Sequence, residues 1–273
     1  MLRLTKKFIK SRDGKDLYYE VRAAGTDKPT LFFLHGVGGD LDAWHFVESA
    51  LNAQGFSSIA MDLRGHGHSA HPDKAESYGI NHLVEDVSVI LRQEKPDKII
   101  LIGHSFGAIV AYHFAQAFPE SLKKLVLISP IFHAPAYLRS GGSKKLAHKA
   151  IDVLAGLSPK PIRPGHSKYP AGKFHKDYEI FGLIRTIMRN SLKSYLLNSK
   201  ISIDLDSESN AHQLQTETLI IAGDKDSVFP VESTKRIQSK IPRSKIEIIE
   251  GGNHVVILNN ADEVTRSILN FLK

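Results

Sequence analysis

The segment that most restricts the fold is Ile99–Phe118, IILIGHSFGAIVAYHFAQAF, in which a strand-like run changes directly into a helical one. Its first residues are β-branched or leucine and predict a buried strand, whereas the later residues have the apolar spacing of a helix. The change occurs within the five residues Gly103–Gly107, GHSFG. A glycine two residues to either side of Ser105 predicts a tight turn in which larger side chains would collide.

Other apolar runs recur along the chain, and helical segments separate most of them. Continuous apolar strands alternating with helices predict an α/β fold with a mostly parallel central sheet and helices on both faces. Helical spacing stops at Gly55 and before Pro119. The two N-terminal runs predict an antiparallel hairpin turned at RDGK. The predicted strands are TLFFLHG, SSIAMDL, KIILIGHS, KLVLISP, TLIIAGD and KIEIIEGG, and the predicted helices are DAWHFVESALNAQG, GAIVAYHFAQAFPE, VESTKRIQSKIP and ADEVTRSILNFLK.

The alternation breaks over residues 131–213, which predict a helical insertion with a proline-rich joint. The predicted domains are a core of residues 1–130 and 214–273 and the insertion itself. The insertion contains 13 Lys and Arg and 6 Asp and Glu, whereas the rest of the chain contains 23 of each. This excess of positive charge has two interpretations: a solvated helical surface, or a basic surface that attracts an acidic substrate or partner. The lysines are scattered and match no nucleic-acid motif, so no nucleic-acid partner is expected.

Composition excludes several classes of function. The chain has 273 residues and no cysteine, which excludes disulfides, thiolate metal sites and a cysteine nucleophile. No apolar run approaches the roughly 18 residues that span a bilayer, so stable membrane insertion is not expected. The basic N-terminus lacks the apolar core of a signal peptide, and a cytoplasmic location is the expectation.

The GHSFG segment has the G-x-S-x-G pattern of a nucleophile elbow, in which a strained serine projects its hydroxyl above the sheet edge. The alternative is a Gly-Ser turn with no reaction. A serine needs a base and an orienting acid to become a nucleophile. His254 follows the last predicted strand, and Asp224 and Asp226 follow the strand before it. The order Ser, Asp, His is that expected of α/β-hydrolases.

An oxyanion formed at Ser105 requires backbone donors. The N–H of Phe106 is one candidate, and the N–H of Val37 in the loop HGVGGD is the other. The glycines of this loop let the backbone approach a substrate. A phosphate-binding loop is disfavoured, because neither G-K-[ST] nor G-x-G-x-x-G is present.

These motifs together resemble the α/β-hydrolase superfamily, in its group of capped esterases, lipases and lactonase-like enzymes. The matching segments are HGVGG at 35–39, MDLRGHGHS at 61–69, GHSFG at 103–107, GDKDSVFP at 223–230 and GGNH at 251–254. The resemblance implies an α/β-hydrolase fold, a helical cap at 131–213 and Asp226 as the acid. It also implies a structural role for Asp62–Ser69, so Arg64, His66 and His68 are not expected to be catalytic. His66, His68 and His71 are close together in the sequence, but no acidic cluster accompanies them, so a metal site is not expected there.

By this resemblance Ser105 attacks a carbonyl, His254 takes its proton, Asp226 orients the imidazole, and an acyl-enzyme forms without a cofactor. The expected activity is a carboxylesterase or lipase acting on small to medium apolar esters. A lactonase, a thioesterase, a C–C bond hydrolase, a haloperoxidase and a slow ligand-binding sensor stay open. Epoxide hydrolases and dehalogenases carry aspartate at the elbow. The predicted substrate contacts are His35, Gly36, Trp44 and His104; further aromatic candidates for the pocket are Phe106, Phe132, Tyr137, Phe174, Tyr178, Phe181 and Tyr195.

Overall fold

An eight-stranded sheet forms the centre of the computed structural model, which describes residues 3–130, 132, 141–158, 164–169, 192–204 and 207–273. The strand order is β1-β2-β4-β3-β5-β6-β7-β8. The first two strands form the predicted hairpin, β2 also pairs antiparallel with β4, and all other neighbours are parallel. The strands are β1 Arg3–Lys10, β2 Asp16–Ala23, β3 Thr30–Leu34, β4 Ser58–Met61, β5 Ile99–His104, β6 Leu122–Ile128, β7 Thr218–Gly223 and β8 Ser244–Ile249.

Helices cover both faces of this sheet, as the continuous apolar strands predicted. All six residues of β5 are buried, because successive side chains point to opposite faces and each face has its own apolar core. The helices are α1 His45–Ala53, α2 Ile80–Glu94, α3 Phe106–Ala117, α4 Gly141–Leu157, α5 Leu192–Asp204, α6 Val231–Gln238, α7 Val256–Asn259 and α8 Ala261–Leu272. Among the described residues, no helix is long and apolar enough to cross a membrane.

Helix α2 is absent from the sequence-based prediction. Its buried apolar residues Leu83, Val84, Val87 and Ile90 lie on one side at helical spacing. The helix begins after Gly79 and ends at Lys95, which adopts the left-handed conformation with φ 50°. The periodic signal was therefore present, although no strong capping residue marks the N-terminus.

Two helices of the insertion lie within the described residues. Helix α4 matches the predicted stretch KKLAHKAIDVLAGL and packs against α5, which in turn contacts α3. Most of the second predicted helix, YEIFGLIRTIMRNSLKSYLL, lies outside the described residues. The division into a core and a cap therefore stays a prediction.

The turn Asp62–Ser69 directly follows β4 and is buried except at His68. Arg64 is almost fully buried, with Nε 2.7 Å from Oδ2 and Nη2 2.6 Å from Oδ1 of Asp86 in α2. Its guanidinium also contacts Asp13 in the hairpin turn at 3.0 Å. The buried charge is thus paired from two sides, as a buried guanidinium requires.

Candidate active site

Ser105 occupies the sharp joint between β5 and α3. Its backbone has φ 52° and ψ −114°, a strained conformation for a residue with a side chain. A Cβ on Gly103 would lie 2.3 Å from the carbonyl oxygen of Gly107, and one on Gly107 would lie 2.2 Å from that of Leu34. Both glycines are therefore needed for the close approach of strand and helix, and this predicted feature of the elbow is confirmed.

Replacing Gly103 with alanine tests the tightness of this joint. Because the new methyl group meets backbone atoms rather than flexible side chains, we expect Gly103→Ala to lower the free energy of unfolding by about 3 kcal/mol or more. Gly156 in α4 is a matched control, since nothing lies within 4 Å of its hypothetical Cβ. Gly156→Ala should raise the stability by up to about 1 kcal/mol. Urea denaturation measures both, and equal effects would contradict this account.

The structure brings Ser105, His254 and Asp226 together from three separate strand ends. His254 Nε2 lies 2.9 Å from Ser105 Oγ, and His254 Nδ1 lies 2.8 Å from Asp226 Oδ2. The serine and the aspartate are 5% and 6% exposed, so both contacts lie in a protected environment. This geometry lets Nε2 accept the serine proton while Nδ1–H donates to the carboxylate.

Asp226 is held by its own loop as well as by the imidazole. Its Oδ1 accepts hydrogen bonds from the N–H groups of Val228 and Phe229 at 2.9 and 2.8 Å. Burial raises the pKa of Asp226, but the hydrogen bond and charge of His254 and these two amides outweigh burial and hold the pKa below its ordinary value. Asp224 instead lies 3.6 Å from Lys225. The geometry therefore selects Asp226 over Asp224 as the partner of His254.

His104 supports the loop that carries His254. Its Nε2 donates to the carbonyl oxygen of His254 at 2.9 Å. Burial, together with the charge of the nearby His254, lowers the pKa of His104 to about 3, so the ring is neutral. Since Nε2 is already engaged, the structure places His104 as a positioning residue rather than as the predicted substrate contact.

The loop after β3 is braced against the turn Asp62–Ser69 by two histidines. His35 Nε2 accepts from the N–H of Leu63 at 3.0 Å, and His66 Nε2 accepts from the N–H of Gly38 at 2.9 Å. Burial lowers the pKa of both histidines, which keeps the rings neutral and able to accept. The resemblance implied a structural role for this turn, but it did not predict the contact of His66 with Gly38, because 28 residues separate the two.

The burial of His35 and Trp44 contradicts their predicted contact with substrate. The His35 ring has no exposed surface, and its Nδ1 lies 2.8 Å from the carbonyl of Gly36. Trp44 is also fully buried and packs on Phe33 in the core, with ring centroids 5.1 Å apart. Gly36 itself does lie at the site, since a Cβ there would be 3.3 Å from Ser105 Cβ.

The two predicted oxyanion donors lie in the expected elements. Phe106 is the first residue of α3, where backbone N–H groups have no partner within the helix. In the other loop the amide of Gly38 donates to His66 and that of Gly39 to the carbonyl of Gly36. Val37 therefore stays the candidate there. The Phe106 side chain has no exposed surface and packs in the core, which contradicts its predicted contact with substrate.

Of the remaining pocket candidates, Phe132 is buried against Tyr112, with ring centroids 5.5 Å apart, and Tyr195 is half-buried. Tyr137, Phe174, Tyr178 and Phe181 lie outside the described residues. In the described part of the chain no three potential ligands are placed to hold a metal ion.

The segment 164–169 of the insertion is held to the core by three carboxylates, of which Asp40 and Asp62 are buried and Asp42 is partly exposed. His166 Nε2 donates to Asp62 Oδ2 at 2.8 Å, and its Nδ1 lies 3.5 Å from Asp42 Oδ2. Asp40 accepts from the Ser167 N–H at 2.7 Å and from the Tyr169 hydroxyl at 3.1 Å. Burial lowers the pKa of His166, but its hydrogen bonds to Asp42 and Asp62 outweigh burial and raise the pKa to about 10. His166 is therefore protonated at neutral pH, and its ion pair with Asp62 joins the insertion to the core.

The ion pair between His166 and Asp62 predicts a pH dependence of stability. Because the folded-state pKa of His166 is raised from an ordinary 6.5 to about 10, its contribution is complete below pH 6.5 and is lost as the pH rises through about 10. We expect His166→Asn to lower the free energy of unfolding by about 3 kcal/mol at pH 6. The difference from wild type should shrink steadily towards pH 10 in urea titrations. If the difference in the free energy of unfolding between wild type and His166→Asn did not change with pH, the role of the charged imidazole would be refuted.

Comparisons with known proteins agree with this architecture. The family model described as serine aminopeptidase S33 matches residues 25–261. A Haemophilus influenzae protein with the provisional name esterase/lipase is 28% identical over 89% of this chain and 83% of its own length. Human protein ABHD8 is 27% identical over 89% of this chain, which spans only 54% of that protein. An esterase from Exiguobacterium antarcticum has the same fold, with a TM-score of 0.77, 21% identity and coverage of 98% and 99% of the two chains.

Proposed function

The chain belongs to the hydrolase family described as serine aminopeptidase S33, and on that premise we propose that it hydrolyses carboxylic esters of small to medium apolar substrates. The observation that carries this proposal is the continuous contact from Ser105 Oγ through His254 to Asp226, at 2.9 and 2.8 Å. The provisional esterase/lipase name of the Haemophilus influenzae relative supports the ester as substrate class.

In the proposed first half-reaction Ser105 Oγ attacks the ester carbonyl carbon while His254 Nε2 accepts the hydroxyl proton. The carbonyl electron pair moves onto oxygen, and the N–H groups of Phe106 and Val37 stabilise the resulting oxyanion. When the tetrahedral intermediate collapses, the alkoxide leaves with the proton from His254. The products of this step are an alcohol and an acyl group bound to Ser105.

In the second half-reaction a water molecule replaces the alcohol. His254 Nε2 takes a proton from this water as its oxygen attacks the acyl carbon, and the same proton returns to Ser105 Oγ when the acid is released. Asp226 accepts the Nδ1–H hydrogen bond in both steps, which keeps Nε2 unprotonated at the start of each and stabilises the imidazolium between them.

Several neighbouring reactions use the same groups and differ only in the bond that is cleaved. A lactone, a thioester or a C–C bond next to a carbonyl also yields an acyl carbon for Ser105, and the description of the family adds the amide of an aminoacyl substrate. A ligand sensor would form the adduct but turn over slowly. These alternatives are distinguished by substrate, since the proposed nucleophile is common to them.

The test combines active-site labelling with a substrate panel. Intact mass after exposure to a fluorophosphonate should reveal one adduct on the protein. Turnover of p-nitrophenyl butyrate should exceed that of a matched thioester, a lactone and an aminoacyl p-nitroanilide. If the adduct forms but the thioester, the lactone or the anilide is turned over faster than the ester, that compound class would replace esters as the proposed substrate. No adduct on the folded protein would refute the proposed nucleophile.

A further inference from the structure

Helix α4 carries an apolar stripe on the surface of the insertion. Leu146, Val153 and Leu157 are 70%, 54% and 79% exposed, and Leu154 beside them is 50% exposed. Residues separated by seven and four positions return to the same side of an α-helix. Four large apolar side chains therefore form one contiguous exposed strip, which a protein surface rarely presents without a partner.

The opposite side of α4 is fixed to α5. Lys144 and His148 each contact Asp204 at 3.1 Å, and Asp152 accepts from Lys200 at 2.7 Å. Ala155 is buried in a small cluster with Tyr78 and Leu197. Since these contacts lie on the side that faces α5, the stripe points away from α5.

Charge indicates what kind of surface the stripe meets. Lys145 and Lys149 are exposed beside it, and the single acidic residue of α4, Asp152, is paired with Lys200. The whole insertion has 13 basic and 6 acidic residues. Exposed leucine and valine beside lysine are typical of helices that lie in the interface of an anionic bilayer.

We propose that α4 docks on an anionic phospholipid surface. The stripe enters the boundary between headgroups and acyl chains, and Lys145 and Lys149 pair with lipid phosphates. The helix axis lies in the membrane plane, because the side facing α5 stays bound to the protein. This docking is independent of the proposed ester hydrolysis, although it would bring the protein to a source of apolar esters.

Vesicle co-sedimentation tests the proposal with the whole chain. Wild type should bind vesicles of phosphatidylglycerol and phosphatidylcholine more tightly than vesicles of phosphatidylcholine alone, and higher salt should weaken the binding. The triple variant Leu146→Gln, Val153→Gln, Leu157→Gln should bind at least roughly 100-fold more weakly, because three apolar side chains are lost. The double variant Leu4→Gln, Phe8→Gln is the matched control, since both side chains are exposed on β1.

The charges are tested separately, in case the triple variant fails to fold. Lys145→Ala with Lys149→Ala should weaken binding to the anionic vesicles roughly 30-fold and leave the melting temperature unchanged. Equal binding by wild type and both α4 variants would overturn the proposal. Absence of vesicle binding by wild type would also overturn it, and a dimer that the triple variant abolishes would then assign the stripe to a contact with a second copy. Ser105→Ala should bind vesicles as tightly as wild type, because membrane docking by α4 does not require the proposed nucleophile. The vesicle experiment therefore tests docking independently of ester hydrolysis.

Discussion

Ser105→Ala should lower kcat for the best substrate on the order of 10⁵-fold or more while leaving the fold intact. The variant keeps the strained backbone of the elbow but removes the atom that forms the acyl bond, and His254 then has no hydroxyl to deprotonate. Stopped-flow or prolonged assays with p-nitrophenyl butyrate measure the residual rate, and intact mass should reveal no fluorophosphonate adduct.

Ser129→Ala is the matched control for this experiment. Ser129 directly follows the neighbouring strand β6, is buried and also has a positive φ, 45°. Its hydroxyl has no hydrogen-bond partner among the described residues, so its removal should change kcat by no more than a few-fold. Wild-type turnover in purified Ser105→Ala, or loss of turnover only in Ser129→Ala, would reassign the nucleophile.

Asp226→Asn should lower kcat about 10⁴-fold at neutral pH. The amide oxygen can still accept from the N–H groups of Val228 and Phe229, so the loop should keep its shape. The amide N–H₂ then faces His254 Nδ1 and favours the tautomer whose proton is on Nε2. That tautomer cannot accept the proton of Ser105.

Asp224→Asn is the comparison variant from the same loop. The Asp224 side chain is 30% exposed and its ion-pair contact is Lys225 at 3.6 Å, a pair of small energetic value. We expect its kcat to stay within a few-fold of wild type. Circular dichroism and urea unfolding should establish that both variants are folded. A larger loss in Asp224→Asn than in Asp226→Asn would reassign the acid.

Local patterns predicted most of the sheet and the elbow. The strands are continuous apolar runs because both of their faces are buried, and the glycines around Ser105 are required by atoms within a few residues in the chain or on adjoining β3. Helix α2 was missed although Leu83, Val84, Val87 and Ile90 have helical spacing. The residues alone left Asp224 and Asp226 open, because both follow the same strand.

The sequence by itself determined the fold class and the chemical groups of the candidate site, since both depend on local periodicity and on motifs of a few residues. Only the tertiary structure decided which distant residues support these groups. His66 supports Gly38 across 28 residues, and His166 reaches Asp62 across 104. The spacing of apolar residues in α4 predicts a helix, but it does not predict which side of that helix packs against α5. Such contacts depend on the packing of distant elements, whose geometry no short pattern encodes.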